Sequence, residues 1–143
     1  MGTEAREWTS ADAWILASVA ITIEASQGVS GQGPDLSEVI AAADAVNHSI
    51  PTRGELASSL GALIAGGYVE VDEGRFRLSK DGERIRKHWT GGMFAWTSML
   101  PALRKTERPD ANFPMDQSNF DEAFRAYQRR FAKALRGLER RGR

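Results

Sequence analysis

The chain has 143 residues, 41% hydrophobic and 27% charged, the composition of one globular unit around one core. It contains no cysteine, which excludes disulfides, thiol nucleophiles and thiolate metal sites. Nineteen basic groups balance nineteen acidic ones overall, but residues 1–73 hold two basic against eleven acidic (−9), and residues 74–143 hold seventeen against eight (+9). Such a split predicts either self-association between the halves or a face tuned to a polyanion.

No apolar run approaches the roughly 20 residues of a membrane span. The opening MGTEAREW lacks the basic-then-apolar order of a signal peptide, and Arg6 stands where a myristoylation signal wants Ser or Thr. The expectation is a cytoplasmic protein with no membrane partner.

Thr9 is placed to cap a first helix, with Asp12 three residues on. From Ala13 to Ile23 the chain is apolar nearly all round, which predicts a helix at the buried centre. Ser26 to Pro34 reads as loop, and its glycines follow no strand, so they make no phosphate-binding motif. Asp35 opens a second helix with Glu38 as capping partner, carrying Leu36, Val39, Ile40, Ala43 and Val46 inward. Asn47 to Pro51 breaks it.

Thr52 and Glu55 then form a second capping box, ahead of a helix whose apolar face is Leu56, Leu60, Leu63 and Ile64. Arg53, Ser58 and Ser59 point away from that face. Gly66 and Gly67 stop the helix. Period-two alternation on both sides of Asp72-Glu73-Gly74 predicts a β-hairpin, with Val69, Val71, Phe76 and Leu78 on one side. Ser79 or Asp81 starts a fourth helix to about Trp89, anchored by Ile85 and ended by Gly91-Gly92. Met93 to Lys105 reads as a short helix restarted at Pro101, and Thr106 to Gln117 as an extended connector. Ser118, with Asp121, caps a long last helix. Its seam of Phe120, Phe124, Tyr127, Phe131, Leu135 and Leu138 recurs near the heptad period.

The string Leu56-x-x-x-Leu60-x-x-Leu63-Ile64-x-x-Gly67-Tyr68-Val69, with Leu78-Ser79-Lys80-Asp81-Gly82-Glu83 after the hairpin, resembles the winged helix-turn-helix superfamily. The general shape is that of the MarR and PadR-like bacterial regulators. The resemblance implies a mainly α fold with a small β-hairpin: a winged helix-turn-helix over residues 9–90, a short helix and connector over 91–117, and a long basic helix over 118–143. It also implies a DNA-binding transcriptional regulator whose third helix enters the major groove while the wing touches the backbone. Carried over, Thr52, Arg53, Ser58 and Ser59 would face double-stranded DNA, and Arg75 and Arg77 would sit on the wing. The terminal seam would build a homodimer through Phe120, Phe124, Tyr127, Phe131, Leu135 and Leu138, or would fold back onto the helix at Met93–Leu103, and the sequence leaves both open.

Local charge opposes part of this. The third helix offers one arginine beside Glu55, and the wing tip is Asp72-Glu73, whereas duplex affinity comes largely from Lys and Arg on phosphates. Only a dimer bringing Arg75, Arg77, Lys80, Arg84, Arg86 and Lys87 to one groove would offset it. The alternative is a protein-interaction module that uses its acidic N-terminal half and its basic last helix. That helix carries Arg125, Arg129, Arg130, Lys133, Arg136, Arg140, Arg141 and Arg143, a set that suits nucleic acid but is read first as the wet face of an amphipathic helix paired with an acidic surface. Trp14, Trp89, Phe94 and Trp96 suit core packing better than a ligand pocket. His48 and His88 have no metal-spaced neighbours, and no nucleophile motif or P-loop occurs, so neither an enzyme, a metal nor a cofactor is expected.

Overall fold

The computed structural model describes residues 7–26 and 33–141, without the side chains of 22–26, 131 and 134–141. The chain is mainly helical. It runs α1 (Ser10–Ser26), α2 (Leu36–Asn47), α3 (Arg53–Ala65), β1 (Val69–Asp72), β2 (Arg75–Leu78) and α4 (Lys80–Arg86). A 3₁₀ turn at Trp96–Met99 follows, then α5 (Leu100–Leu103) and α6 (Gln117–Arg141).

The apolar character of α1 makes it the hub. Ala13 to Ala20 are buried without interruption, and Trp14 Nε1 donates to the Ala43 carbonyl at 2.9 Å, which locks α1 to α2. Thr9 N donates to Asp12 Oδ2 at 2.8 Å, so the expected cap is present. Both later capping boxes also form, Asp35 with Glu38 and Thr52 with Glu55. His48 ends α2 in the left-handed region (φ 52°).

The hairpin pairs Val69 with Leu78 through Asp72 with Arg75, antiparallel. Glu73 (φ 49°) and Gly74 (φ 74°) form a two-residue turn of the kind that matches strand twist. Val69 and Phe76 are buried, but Val71 is 37% exposed: the far end of the hairpin projects past the core, so alternation alone over-predicted its burial. Phe76 N donates to the Pro34 carbonyl at 2.9 Å, so the chain ahead of α2 covers the outer edge of β2.

Three boundaries move. Helix α4, capped by Ser79, ends at Arg86, short of Trp89. Pro101 lies in the first turn of α5, where its missing N–H breaks no helical bond. Helix α6 begins at Gln117 and not after Ser118, because Asp116 accepts from Asn119 N at 2.7 Å.

Met99, Leu103, Met115 and Phe120 join Ile15, Leu56, Leu60 and Phe76 in one core, so the residues after 91 are built into the same body. The long seam folds back at its start. Phe120 is buried, and Phe124 and Tyr127 pack half-buried against that core. Tyr127 Oη donates to Asp44 at 2.6 Å, and Arg130 lies 3.8 Å from Asp35 and 3.1 Å from Ser37 Oγ. Later residues of α6 thus meet earlier residues of α2, which makes the two helices antiparallel. Phe120 is therefore built into the core and Tyr127 lies beside α2, so the start of the seam folds back on its own chain. The side chains of Phe131, Leu135 and Leu138 lie outside the described residues.

Part of the charge split is met within one chain. Arg75 pairs with Glu38 (3.6 Å), Arg77 with Glu70 (2.9 Å), Arg104 with Glu7 (3.9 Å), Arg108 with Asp12 (2.7 Å) and Arg130 with Asp35 (3.8 Å). Basic groups of the second half find acids of the first. No described helix is long and apolar enough to cross a membrane.

Candidate nucleic-acid interface

A reading helix needs a free polar face, and the leucine face of α3 does point inward as its spacing predicts: Leu56, Leu60 and Leu63 are fully buried. The opposite face is covered only in part: Ala57 and Gly61 on one flank are buried, while Gly54, Glu55 and Ala65 stay exposed. The connector between α5 and α6 lies across it as a strap. Phe113 N donates to the Ala57 carbonyl at 2.9 Å, on the buried flank of the helix beside the leucine face. At Gly61 the approach is closer still: a Cβ there would sit 2.4 Å from the Ala111 carbonyl oxygen and 2.5 Å from Asn112 Cα. Phe113 also meets Phe76 edge-on at 5.4 Å, tying strap, α3 and hairpin together.

The polar groups assigned to DNA are largely occupied by this contact. Ser59, expected on the outer face, is 2% exposed and its hydroxyl donates to Asp12 at 2.8 Å. That is a correction: Ser59 is an interior residue, because the strap and the start of α1 close over it. Ser58 receives Arg108 Nη2 on both its hydroxyl (2.9 Å) and its carbonyl (3.2 Å). Arg53 Nη1 donates to the Met115 carbonyl at 3.2 Å. Thr52 is exposed, with its hydroxyl accepting from Glu55 N at 3.0 Å.

On the hairpin, Arg75 donates to the Gly33 carbonyl at 2.9 Å as well as facing Glu38, so it braces the loop before α2. Arg77 is exposed but paired across the ladder with Glu70. Asp72 and Glu73 form the exposed tip. Thr52 and Arg53 sit at the start of α3, Ser58 lies about 140° round the helix from Arg53, and Arg75 and Arg77 sit on the hairpin with their guanidinium groups directed to protein acceptors.

The strap is held by a buried ion pair that sequence reading missed. Arg108 Nε and Nη2 donate to both Asp12 carboxylate oxygens at 2.7 and 3.1 Å. The Asp12 side chain is fully enclosed and that of Arg108 is 12% exposed. Burial pushes the Asp12 carboxyl up. The Arg108 guanidinium, the Thr9 amide and the Ser59 hydroxyl outweigh it and hold the group below the usual range. Asp12 had a sufficient explanation as a cap, and a lone arginine in a connector carries no pattern. Around the pair lies a groove of about 570 Å3, lined by Glu7, Thr9, Glu55, Ser58 and Arg108 among others.

The aromatic residues do not converge on one pocket. Trp14 is in the core, Trp96 Nε1 donates to Val46 O at 3.3 Å, and Trp89 Nε1 to Gly92 O at 2.9 Å. Phe94 is 61% exposed and lies 5.3 Å from the His48 ring. Among the described residues no three His, Cys, Asp or Glu side chains are grouped to hold a metal. Comparison with protein-family models, with curated proteins and with solved structures finds no match to this chain.

Proposed function

We propose that residues 9–90 form a winged helix-turn-helix that serves as a cytoplasmic protein-interaction module and does not read base sequence with α3. The observation that carries this reading is the strap across α3. A recognition helix must lay its outward face into the major groove, and here one flank of that face is covered by backbone at Ala57 and Gly61 and Ser58 is held by Arg108, which leaves Thr52, Gly54 and Glu55 as its exposed part. The exposed hairpin tip, Asp72 and Glu73, repels a phosphate backbone and suits a basic segment of a partner protein.

The second reading is a homodimeric DNA-binding transcriptional regulator. It is favoured by the capping box of α3 and the tight hairpin behind it, the parts such a regulator uses. It requires the strap to leave α3. Selection of duplexes from a random pool on the full chain separates the two. The module reading expects no enriched consensus, and binding of a Lys-rich peptide that is lost in D72K/E73K. A consensus whose binding is lost in R53A would replace it with the regulator.

A further inference from the structure

We propose that the outward face of α6 binds duplex DNA through its phosphate backbone, without regard to base sequence. Helix α6 is two-sided. Phe120, Phe124 and Tyr127 hold one side against the core, and Arg125, Arg129 and Lys133 stand at intervals of four on the other, all exposed. Advancing 100° per residue, these three cations fall within about 80° of one another and point away from the α2 contact. Among the described residues none of the three has an ion-pair partner, whereas Arg130, on the flank nearer α2, is matched to Asp35. The sequence continues the row with Arg136 and Arg140 at spacings of three and four.

The row presents a cation about every 6 Å along the helix axis. Duplex DNA carries a charge about every 1.7 Å of its axis, so each cation finds a phosphate in any register. Two other polyanionic partners fit less well. A protein interface is anchored by buried aromatic or other apolar side chains, and beside the cations this face offers Gln128, Ala132 and, one turn before Arg125, Glu122, all exposed. An amphipathic helix on a bilayer needs its apolar side for the lipid, and the described part of that side is already packed on the protein. The inference is independent of how α3 is used.

The test is fluorescence anisotropy of the full chain with labelled random-sequence duplexes from 50 to 200 mM salt. Three phosphate contacts give a log–log salt slope of about −2.7, a loss of affinity of about 40-fold over that range. Affinity should be equal for unrelated duplexes. R125A/R129A/K133A should flatten the slope by about 2.7 and weaken binding at 50 mM at least about tenfold, with an unchanged circular dichroism spectrum and melting temperature because the residues are exposed. R53A should bind as the wild type does. No duplex binding at 50 mM salt overturns the proposal, as does binding that survives the triple substitution or is lost in R53A. Retention on phosphatidylserine vesicles or on polyglutamate, with none on DNA, would assign the face to those partners instead.

Discussion

Replacing Arg108 with alanine tests whether the strap is built into the fold. The substitution leaves the enclosed Asp12 carboxylate with only Thr9 and Ser59 as partners. Removing one member of a buried pair costs about 3–5 kcal/mol, because the remaining charge stays desolvated. At roughly 3 °C per kcal/mol for a chain of this size, the melting temperature should fall by about 10–15 °C at pH 7. The pH dependence carries the mechanism. In the wild type the folded Asp12 value lies below its unfolded one, so its contribution is fully present above the unfolded value and is lost as pH falls through the folded one. In R108A burial prevails and the folded value rises, so the penalty is largest at neutral pH and shrinks on acidification as Asp12 takes a proton. D12N/R108M, which removes both charges, should recover much of the loss. Urea melts at pH 7 and 4.5 measure all three proteins. A cost for R108A below about 1 kcal/mol at pH 7, or one that is the same at both pH values, would refute the argument.

Gly61→Ala places a methyl group against the Ala111 carbonyl and should cost about 1–3 kcal/mol, with faster amide exchange at Phe113 as the local readout. Thr52→Ala removes the α3 cap and should cost about 1 kcal/mol in denaturant melts, with no effect on the strap. Burial, and then the Asp44 carboxylate, push the Tyr127 hydroxyl up to about 12. An ultraviolet titration should therefore show one of the two tyrosines ionising late, and Asp44→Asn should bring it down. The stabilising contribution of Tyr127 is present below the ordinary tyrosine value and is lost as pH rises through about 12. A Tyr127 that titrates normally would detach α6 from α2.

Local chemistry was readable from the residues alone. The three capping boxes and the hairpin turn are set by neighbours within a few positions, and α1 announced its burial by being apolar on every side; of the expected left-handed glycine pair after α3 only Gly67 (φ 83°) is left-handed, Gly66 staying helical (φ −77°). The shared core of α1, Leu56, Leu60 and Leu63 followed from period and hydrophobicity. What needed the third dimension was the destination of the polar groups. Ser59 looks identical on a wet face and under a strap, and Asp12 as a cap gives no hint of a partner 96 positions away at Arg108. The aromatic seam predicts that something covers it, but a dimer mate and α2 satisfy the same pattern. The physical reason is common to all three. Secondary structure and amphipathicity are encoded by spacing along the chain, whereas the partner of a surface is chosen by long-range docking of the connector and α6, and that leaves no periodic trace in the sequence.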